Sequence, residues 1–182
     1  MMTRYVTMLA AALTLTGGMT LVAQNGSSDR MTSGNLSSAD RNFMMKAAQG
    51  GMAEVKLGEL AKQNGQSQAV KDFGQRMVDD HSKANDQLKS VAGQLNVTLP
   101  NSLDAKDQAT YDRLSKLNGV AFDKAYIRDM VSDHKKDIAE FQKEANSGSN
   151  ADVKNFASQT LPTLKEHLSL AEKTDTEVRS EK

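Results

Sequence analysis

The sequence contains no cysteine and no tryptophan among its 182 residues. The lack of cysteine excludes disulfides, thiolate nucleophiles, cysteine-based zinc sites, iron–sulfur clusters and a lipidated cysteine anchor. Acidic and basic residues balance at 23 each, and aromatic residues make up only 4% of the chain. Because there is neither an excess of basic charge nor a supply of stacking rings, nucleic acid is not expected as a partner.

The first 23 residues (1–23) have the pattern of a secretory signal peptide. A basic start with Arg4 precedes an apolar run over 5–15 and a plausible cleavage position. A transmembrane anchor is the alternative interpretation, but the run is short and a pair of glycines interrupts it. We therefore expect an exported, periplasmic protein that does not span the membrane once the signal peptide is removed.

The rest of the chain predicts one helical domain. A flexible spacer rich in Gly, Ser and Asn is expected over 24–38, the domain over 39–174, and a fraying polar tail over 175–182. Apolar residues spaced by three and four predict four long helices and one short helix, and no segment has the alternation of a strand. The expected helices cover 39–64, 67–96, 104–117, 119–146 and 151–173.

Local signals mark the ends of these helices. Ser37 and Ser38 can cap the first helix, and Asn150 can cap the last one. Pro162 must either kink the last helix or separate two helices. The seam positions expected to face the interior are Phe43, Ala47, Gly50, Glu54, Leu57 and Ala61; Val70, Gly74, Met77, His81, Ala84, Leu88, Val91 and Leu95; Ile127, Val131, His134, Ile138, Phe141 and Ala145; and Ala157, Leu161, Leu164, Leu168 and Ala171.

A short motif occurs twice in the sequence. An aromatic residue, a methionine and a histidine follow one another at intervals of four, first up to His81 and then up to His134. Residues four apart lie on one face of a helix, so each motif forms a stripe that includes Met77 or Met130. The repetition suggests an ancient duplication of a helix pair.

The third histidine, His167, lies in the last long helix, and each of the three histidines follows an acidic residue. That acid points about 100° away along the helix, so it faces solvent or a neighbouring helix. Glu54 and the three histidines lie near the midpoints of their helices, within roughly 7 Å of one level. The sequence therefore predicts that Glu54, His81, His134 and His167 converge, with Met77 and Met130 one turn away. Packed core histidines and methionines are the alternative.

Four segments carry a resemblance to a known family: 73–81, 120–126, 130–134 and 161–167. The chain resembles a bacterial envelope family that is known only as a domain of unknown function, whose members are often labelled as outer-membrane proteins. The resemblance implies an all-α, ferritin-like antiparallel four-helix bundle with a short extra helix in the middle connection. It also implies an envelope location, but no established activity.

The sequence departs from the di-iron proteins of the ferritin-like group. Those proteins pair a glutamate with a histidine three residues later, whereas Val78, Val131 and Leu164 precede the histidines here. We therefore do not expect a di-iron oxidase. Methionine and histidine are softer ligands that suit copper better.

Two functions of different classes follow. The first is a non-catalytic envelope protein without a cofactor, with a structural, interaction or stress-related role and an unknown protein or envelope partner. The second is a transition-metal-binding protein that uses Glu54, His81, His134 and His167 with Met77 or Met130. A hydrolase or an oxidase is the remaining alternative, but the sequence contains no established catalytic motif.

Overall fold

The computed structural model describes residues 36–180, and this part of the chain is entirely helical apart from its connections. It contains five helices: α1 (Ser38–Asn64), α2 (Gln68–Gln94), α3 (Ala105–Leu114), α4 (Gly119–Ser147) and α5 (Ala151–Ser180). The all-helical prediction is therefore confirmed. The signal peptide and nearly all of the expected spacer lie outside the described residues. Within the described range, no helix has the length and apolar character needed to cross a membrane.

Side chains cap three of the helices at their first turn. Ser37 and Asp40 form a capping box, in which each side-chain oxygen accepts a hydrogen bond from the other residue's backbone N–H. Asp104 accepts from the N–H of Asp107 at the start of α3. Asn150 accepts from two N–H groups at the start of α5. The expected caps at Ser37 and Asn150 are both present.

The four long helices form two packed pairs. α1 packs along α2 and α4 packs along α5, while further contacts join α2 to α5 and α1 to α4. The shorter α3 lies in the connection between the two pairs and contacts α1 and α4. The interior is divided into two apolar clusters. The first includes Leu57, Phe73, Met77, Tyr126, Met130, Ala171 and Val178. The second includes Phe43, Ala48, Leu88, Phe141, Phe156 and Leu164.

The order of these clusters along each helix gives the helix directions. Along α2 and α4 the chain passes from the first cluster to the second, and along α1 and α5 it passes from the second to the first. Thus α1 and α5 run in one direction, and α2 and α4 run in the other. Because α2 and α4 are parallel, the connection between them must travel the length of the molecule, and α3 forms part of it.

Two buried aspartates fasten the pairs to each other. Asp40, at the start of α1, accepts hydrogen bonds from the N–H groups of Ser149 and Asn150 in the α4–α5 loop. Asp123, near the start of α4, accepts from the N–H groups of Gln66 and Ser67 in the α1–α2 loop. The two contacts are equivalent. If the two helix pairs are treated as an internal repeat, α1 therefore corresponds to α4, and α2 corresponds to α5. The predicted duplication had matched α2 with α4, and the structure does not bear out that pairing.

The buried face differs from the expected seam at several positions. Ala47, Gly50, Ala84, Val131 and Leu168 are only half-buried, and so are Val91, Leu95, Ile138 and Ala145. In α1, burial extends instead to a second stripe that includes Met44, Ala48 and Gly51. This helix contacts three neighbours, α2, α3 and α4, so it buries more than one narrow seam.

The last helix is longer than the sequence predicted. α5 continues through Pro162 as one helix and ends at Ser180, where a fraying tail had been expected. Thr174 and Val178 are buried on the same face as Ala171, and Val178 belongs to the first apolar cluster. The polar residues between them lie on the outer face, which hid the helical periodicity.

We predict that Asp123→Ala lowers the free energy of unfolding by about 2 kcal/mol, because it removes the charged acceptor of the part-buried N–H groups of Gln66 and Ser67. The corresponding fall in Tm is roughly 5 °C. Asp112→Ala is the control, since Asp112 is exposed and its carboxylate accepts from Gln108 of its own helix. Equal denaturation midpoints for the two variants would contradict the role given to Asp123.

Candidate metal centre

Three histidines from three different helices meet in the interior. One ring nitrogen from each of His81 (α2), His134 (α4) and His167 (α5) lies within 4.8 Å of the other two. Their exposed fractions are 7%, 0% and 1%, respectively. On each helix the histidine falls between a residue of the first apolar cluster and a residue of the second. The expected convergence of the three histidines at one level is therefore present in the structure.

The hydrogen bond of His134 determines which of its nitrogens is available. Its Nδ1 lies 2.9 Å from the carbonyl oxygen of Met130, and a carbonyl can only accept. Nδ1 therefore carries the hydrogen in the neutral ring and donates it to Met130. The lone pair remains on Nε2, which lies 3.3 Å from Nδ1 of His167.

A carboxylate selects the other tautomer for His167, in which Nε2 carries the hydrogen. Its Nε2 lies 2.8 Å from Oδ2 of Asp80, which accepts the hydrogen. Nδ1 of His167 therefore keeps the lone pair. Although burial alone would raise the pKa of Asp80, hydrogen bonds from His167 and Arg76 lower it, so Asp80 is a carboxylate at neutral pH. Arg76 also pairs with Glu166, and the group joins α2 to α5.

Two lone pairs therefore face each other between His134 and His167. A proton or a cation between the two nitrogens would remove their repulsion. Protonation is opposed, because burial and the proximity of His167 lower the pKa of His134 to about 4. Burial also lowers the pKa of His167, despite the hydrogen bond to Asp80 that raises it, and burial lowers the pKa of His81 well below 6.5. At neutral pH the centre thus presents uncharged imidazoles, the form that binds metals.

His81 contributes a further nitrogen without a partner. Its Nε2 is buried and forms no hydrogen bond with any residue in the described range 36–180. A buried polar atom without a partner is costly, and such atoms are rare in folded proteins. A bound cation would provide a partner for this nitrogen.

Glu54 lies beside the centre and not among its converging nitrogens. Its Oε1 is 3.9 Å from Nδ1 of His134, the nitrogen that donates to Met130, and the side chain is 1% exposed. Neither oxygen of Glu54 has a hydrogen-bond partner among residues 36–180, and the same is true of the Tyr126 hydroxyl. Burial, followed by the charges of Asp133 and Asp137, raises the pKa of Glu54 well above 4.5.

The two methionines belong to the first apolar cluster. Met77 and Met130 are buried there with Phe73 and Tyr126, one turn from the histidines. The defined contribution of Met130 to the centre is its backbone carbonyl, which orients His134. A role of the two sulfur atoms as ligands remains a prediction.

Sequence reasoning missed two acidic residues around the centre. Asp80 precedes His81, and the sequence indicated only that such an acid faces solvent or another helix; it in fact holds His167. Asp137 follows His134 by three residues and therefore shares its helix face, a signal that could have identified it. Burial and the charges of Asp133 and Glu140 raise the pKa of Asp137 to about 7.

The fold and this centre define an all-helical protein with a buried cluster of three histidines. The chain belongs to the family described as "Domain of unknown function (DUF4142)", whose profile matches residues 25–174. The predicted membership of a family of unknown function is thereby confirmed. No curated protein matches the chain.

A solved structure shares the fold. It is described as "Crystal structure of DUF305 fragment from Deinococcus radiodurans", and it superimposes with a TM-score of 0.69 at 13% sequence identity. The match covers 78% of this chain and 98% of that one. At this identity the likeness concerns the fold alone.

We predict that Glu54→Gln changes how stability depends on pH. Because the folded-state pKa of Glu54 is raised, its neutral form stabilises the native state below about pH 4.5, and this stability is lost as the pH rises toward the folded pKa. Glutamine does not titrate, so the Tm of the variant relative to wild type should increase between pH 4 and pH 8. The measurement is thermal unfolding in the presence of EDTA.

Glu59→Gln is the matched control, because Glu59 lies in the same helix with a side chain that is 45% exposed. Its Tm relative to wild type should stay constant over this pH range. If the Tm of Glu54→Gln relative to wild type is equally constant over this pH range, Glu54 is not a buried neutral acid.

Proposed function

We propose that this protein binds one transition-metal ion between His81, His134 and His167, inside an exported helical bundle of the cell envelope. The observation that supports this most strongly is the convergence of three buried ring nitrogens within 4.8 Å. The proposed export rests on the signal-peptide pattern of the first 23 residues.

We further assign the fold to the ferritin-like antiparallel four-helix bundles. The support is the direction of the helices: α1 and α5 run against α2 and α4, and a long connection containing α3 joins two parallel helices. A single long crossover of this kind is characteristic of ferritin-like bundles.

The distances suit a small ion that prefers nitrogen ligands. Metal–nitrogen bonds of about 2.0–2.1 Å in a tetrahedral site place the ligand nitrogens about 3.3–3.4 Å apart. His134 and His167 already have this spacing, at 3.3 Å. Small rotations of the rings, from separations of up to 4.8 Å, would bring in the third nitrogen. A set of three imidazoles favours zinc, copper or nickel over hard ions such as magnesium or calcium.

The hydrogen bonds behind the rings support the same proposal. Metal-binding histidines typically donate their other N–H to a carboxylate or a backbone carbonyl, which fixes the tautomer and the ring orientation. His167 donates to Asp80 and His134 donates to Met130 in this way. Both available lone pairs are consequently directed at the shared space.

A binding role fits better than a catalytic one. The cavity beside His81 has a volume of about 60 Å³, whereas sites for small organic molecules usually occupy about 300–1,000 Å³. An ion or water molecules can occupy this space, but an organic substrate of ordinary size cannot. We therefore propose that the protein holds or carries the ion.

A structural role of the histidines, in an envelope protein with an interaction or stress-related function, is the second candidate. The observation that favours it is the Asp80–His167 hydrogen bond, which joins α2 to α5 without any ion. The experiments below separate the two candidates.

We predict that Zn²⁺, Cu²⁺ or Co²⁺ at a hundredfold excess over its Kd stabilises the protein by about 2.7 kcal/mol. The combined change His81→Ala and His134→Ala should abolish this stabilisation, because it removes two of three ligands. Thermal unfolding with and without metal measures the effect, and elemental analysis of the protein gives the stoichiometry, expected to be one ion per chain.

Leu164→Ile is the matched control, because it keeps an apolar side chain of the same volume in the core one turn from His167. It should keep both the ion and the stabilisation. Since two buried alanines can weaken folding, His134→Gln is tested in parallel by stoichiometry. Unchanged melting curves for wild type with all three ions would favour the structural candidate.

We predict that Asp80→Asn lowers the affinity for the ion by about 10–100-fold, because the carboxylate holds His167 in its ligating tautomer. Titration with Co²⁺, followed by its visible absorption, measures the affinity. Asp79→Asn is the control, since Asp79 is the exposed neighbour of Asp80. Equal affinities for the two variants would exclude an orienting role of Asp80.

A further inference from the structure

A small cavity lies between the long helices next to the histidine centre. Its walls include His81 and Asn85 from α2, Gly50 and Gly51 from α1, and Asp137 from α4. With a volume of about 60 Å³, it has room for water molecules or an ion. His81 is the one histidine of the centre that lines it, so the cavity connects directly with the centre.

His81, which lines this cavity, carries a ring nitrogen without a partner. Nε2 of His81 is buried without a hydrogen-bond partner in the described part of the chain, and the residue is 7% exposed. His134 and His167 are more deeply buried, at 0% and 1% exposed. An ion that approaches through the cavity therefore meets His81 first.

The outer end adjoins an acidic groove on the surface. Lys46, Gly50, Asp137 and Glu140 line both the cavity and a groove of about 270 Å³, so the two spaces are neighbours. The groove adds three further carboxylates, from Asp104, Asp107 and Asp133, and two lysines. Carboxylates that line a cleft concentrate cations there and raise their association rates.

Asp137 lies where the groove and the cavity meet. Lys46 pairs with Glu140, and Lys106 pairs with Asp107 and Asp133. Among residues 36–180, no lysine or arginine forms an ion pair with Asp137. It is therefore the carboxylate of this group best placed to hold an ion in transit.

Gly50 leaves the passage open. A Cβ atom built at this position would meet nothing within 4 Å, so the space in front of the backbone is empty. A larger side chain can project into this space without a clash at its base. Gly50 thus offers a position at which the passage can be blocked.

We propose that this cavity is the route by which the metal ion reaches the three histidines, with Asp137 receiving the ion from the acidic groove and passing it to Nε2 of His81. The proposal rests on the metal-binding function proposed above. It adds the path and the residue that controls the rate of loading.

The test measures the rate of Co²⁺ binding to the metal-free, full-length protein by stopped-flow absorption. Gly50→Leu should obstruct the passage, and Asp137→Asn should remove the receiving carboxylate. Each variant is expected to load roughly tenfold more slowly than wild type. The final stoichiometry should stay the same, because neither residue belongs to the three-histidine centre.

Two matched controls accompany these variants. Gly93→Leu adds the same side chain at another helical glycine with open space around it, and Asp86→Asn removes an exposed carboxylate that lines neither the cavity nor the groove. Both should load at the wild-type rate. Circular dichroism confirms that all four variants remain folded.

The outcomes distinguish this proposal from the proposed function. Wild-type rates for both Gly50→Leu and Asp137→Asn, with metal still bound at equilibrium, would overturn the route and leave the metal centre in place. A lower final occupancy of Asp137→Asn at an unchanged rate would also overturn it, because Asp137 would then be a resident ligand. Absence of Co²⁺ binding by wild type would overturn both proposals.

Discussion

The burial of uncharged imidazoles between two apolar clusters is the constraint on which the rest of the structure depends. Each long helix passes from one apolar cluster to the other. A buried polar residue lies between the two clusters on each helix: Glu54, His81, His134 and His167. Charging these groups inside the core would cost stability, so Glu54 favours its protonated form and the histidines their neutral forms. Burial therefore disfavours charge in this polar middle layer, and the free lone pairs there have few partners.

The same constraint explains why the hydrogen bonds behind the rings matter. A neutral imidazole has one donor and one acceptor nitrogen, and the donor must find an acceptor when it is buried. Met130 supplies that acceptor for His134, and Asp80 supplies it for His167. Once both donors point outward, the acceptors must point inward. Convergence of the two lone pairs therefore follows from satisfying the N–H groups.

Sequence patterns predicted the helices and the proximity of the three histidines, for identifiable reasons. Helical spacing placed the three histidines on inner faces near mid-helix, and that was sufficient to bring them together. The hydrogen bond of Asp80 to His167 depends on which helix lies beside α2, and the bonds of Asp40 and Asp123 depend on which loop lies beside them. The spacing of residues along one helix does not contain that information. The last turns of α5 were missed because polar residues surround Val178, whose burial only the packed structure reveals.

The equivalence of Asp40 and Asp123 identifies the position of α1 that corresponds to His134 of α4. His134 follows Asp123 by eleven residues, whereas the residue eleven positions after Asp40 is Gly51. In the register that these aspartates define, α1 therefore has a glycine where α4 has His134. Gly50 and Gly51 line the cavity that leads to His81. A Cβ atom at Gly51 would collide with the side chain of Asn85, whereas one at Gly50 would meet nothing within 4 Å. The glycines of α1 therefore admit Asn85 and leave open space beside His81.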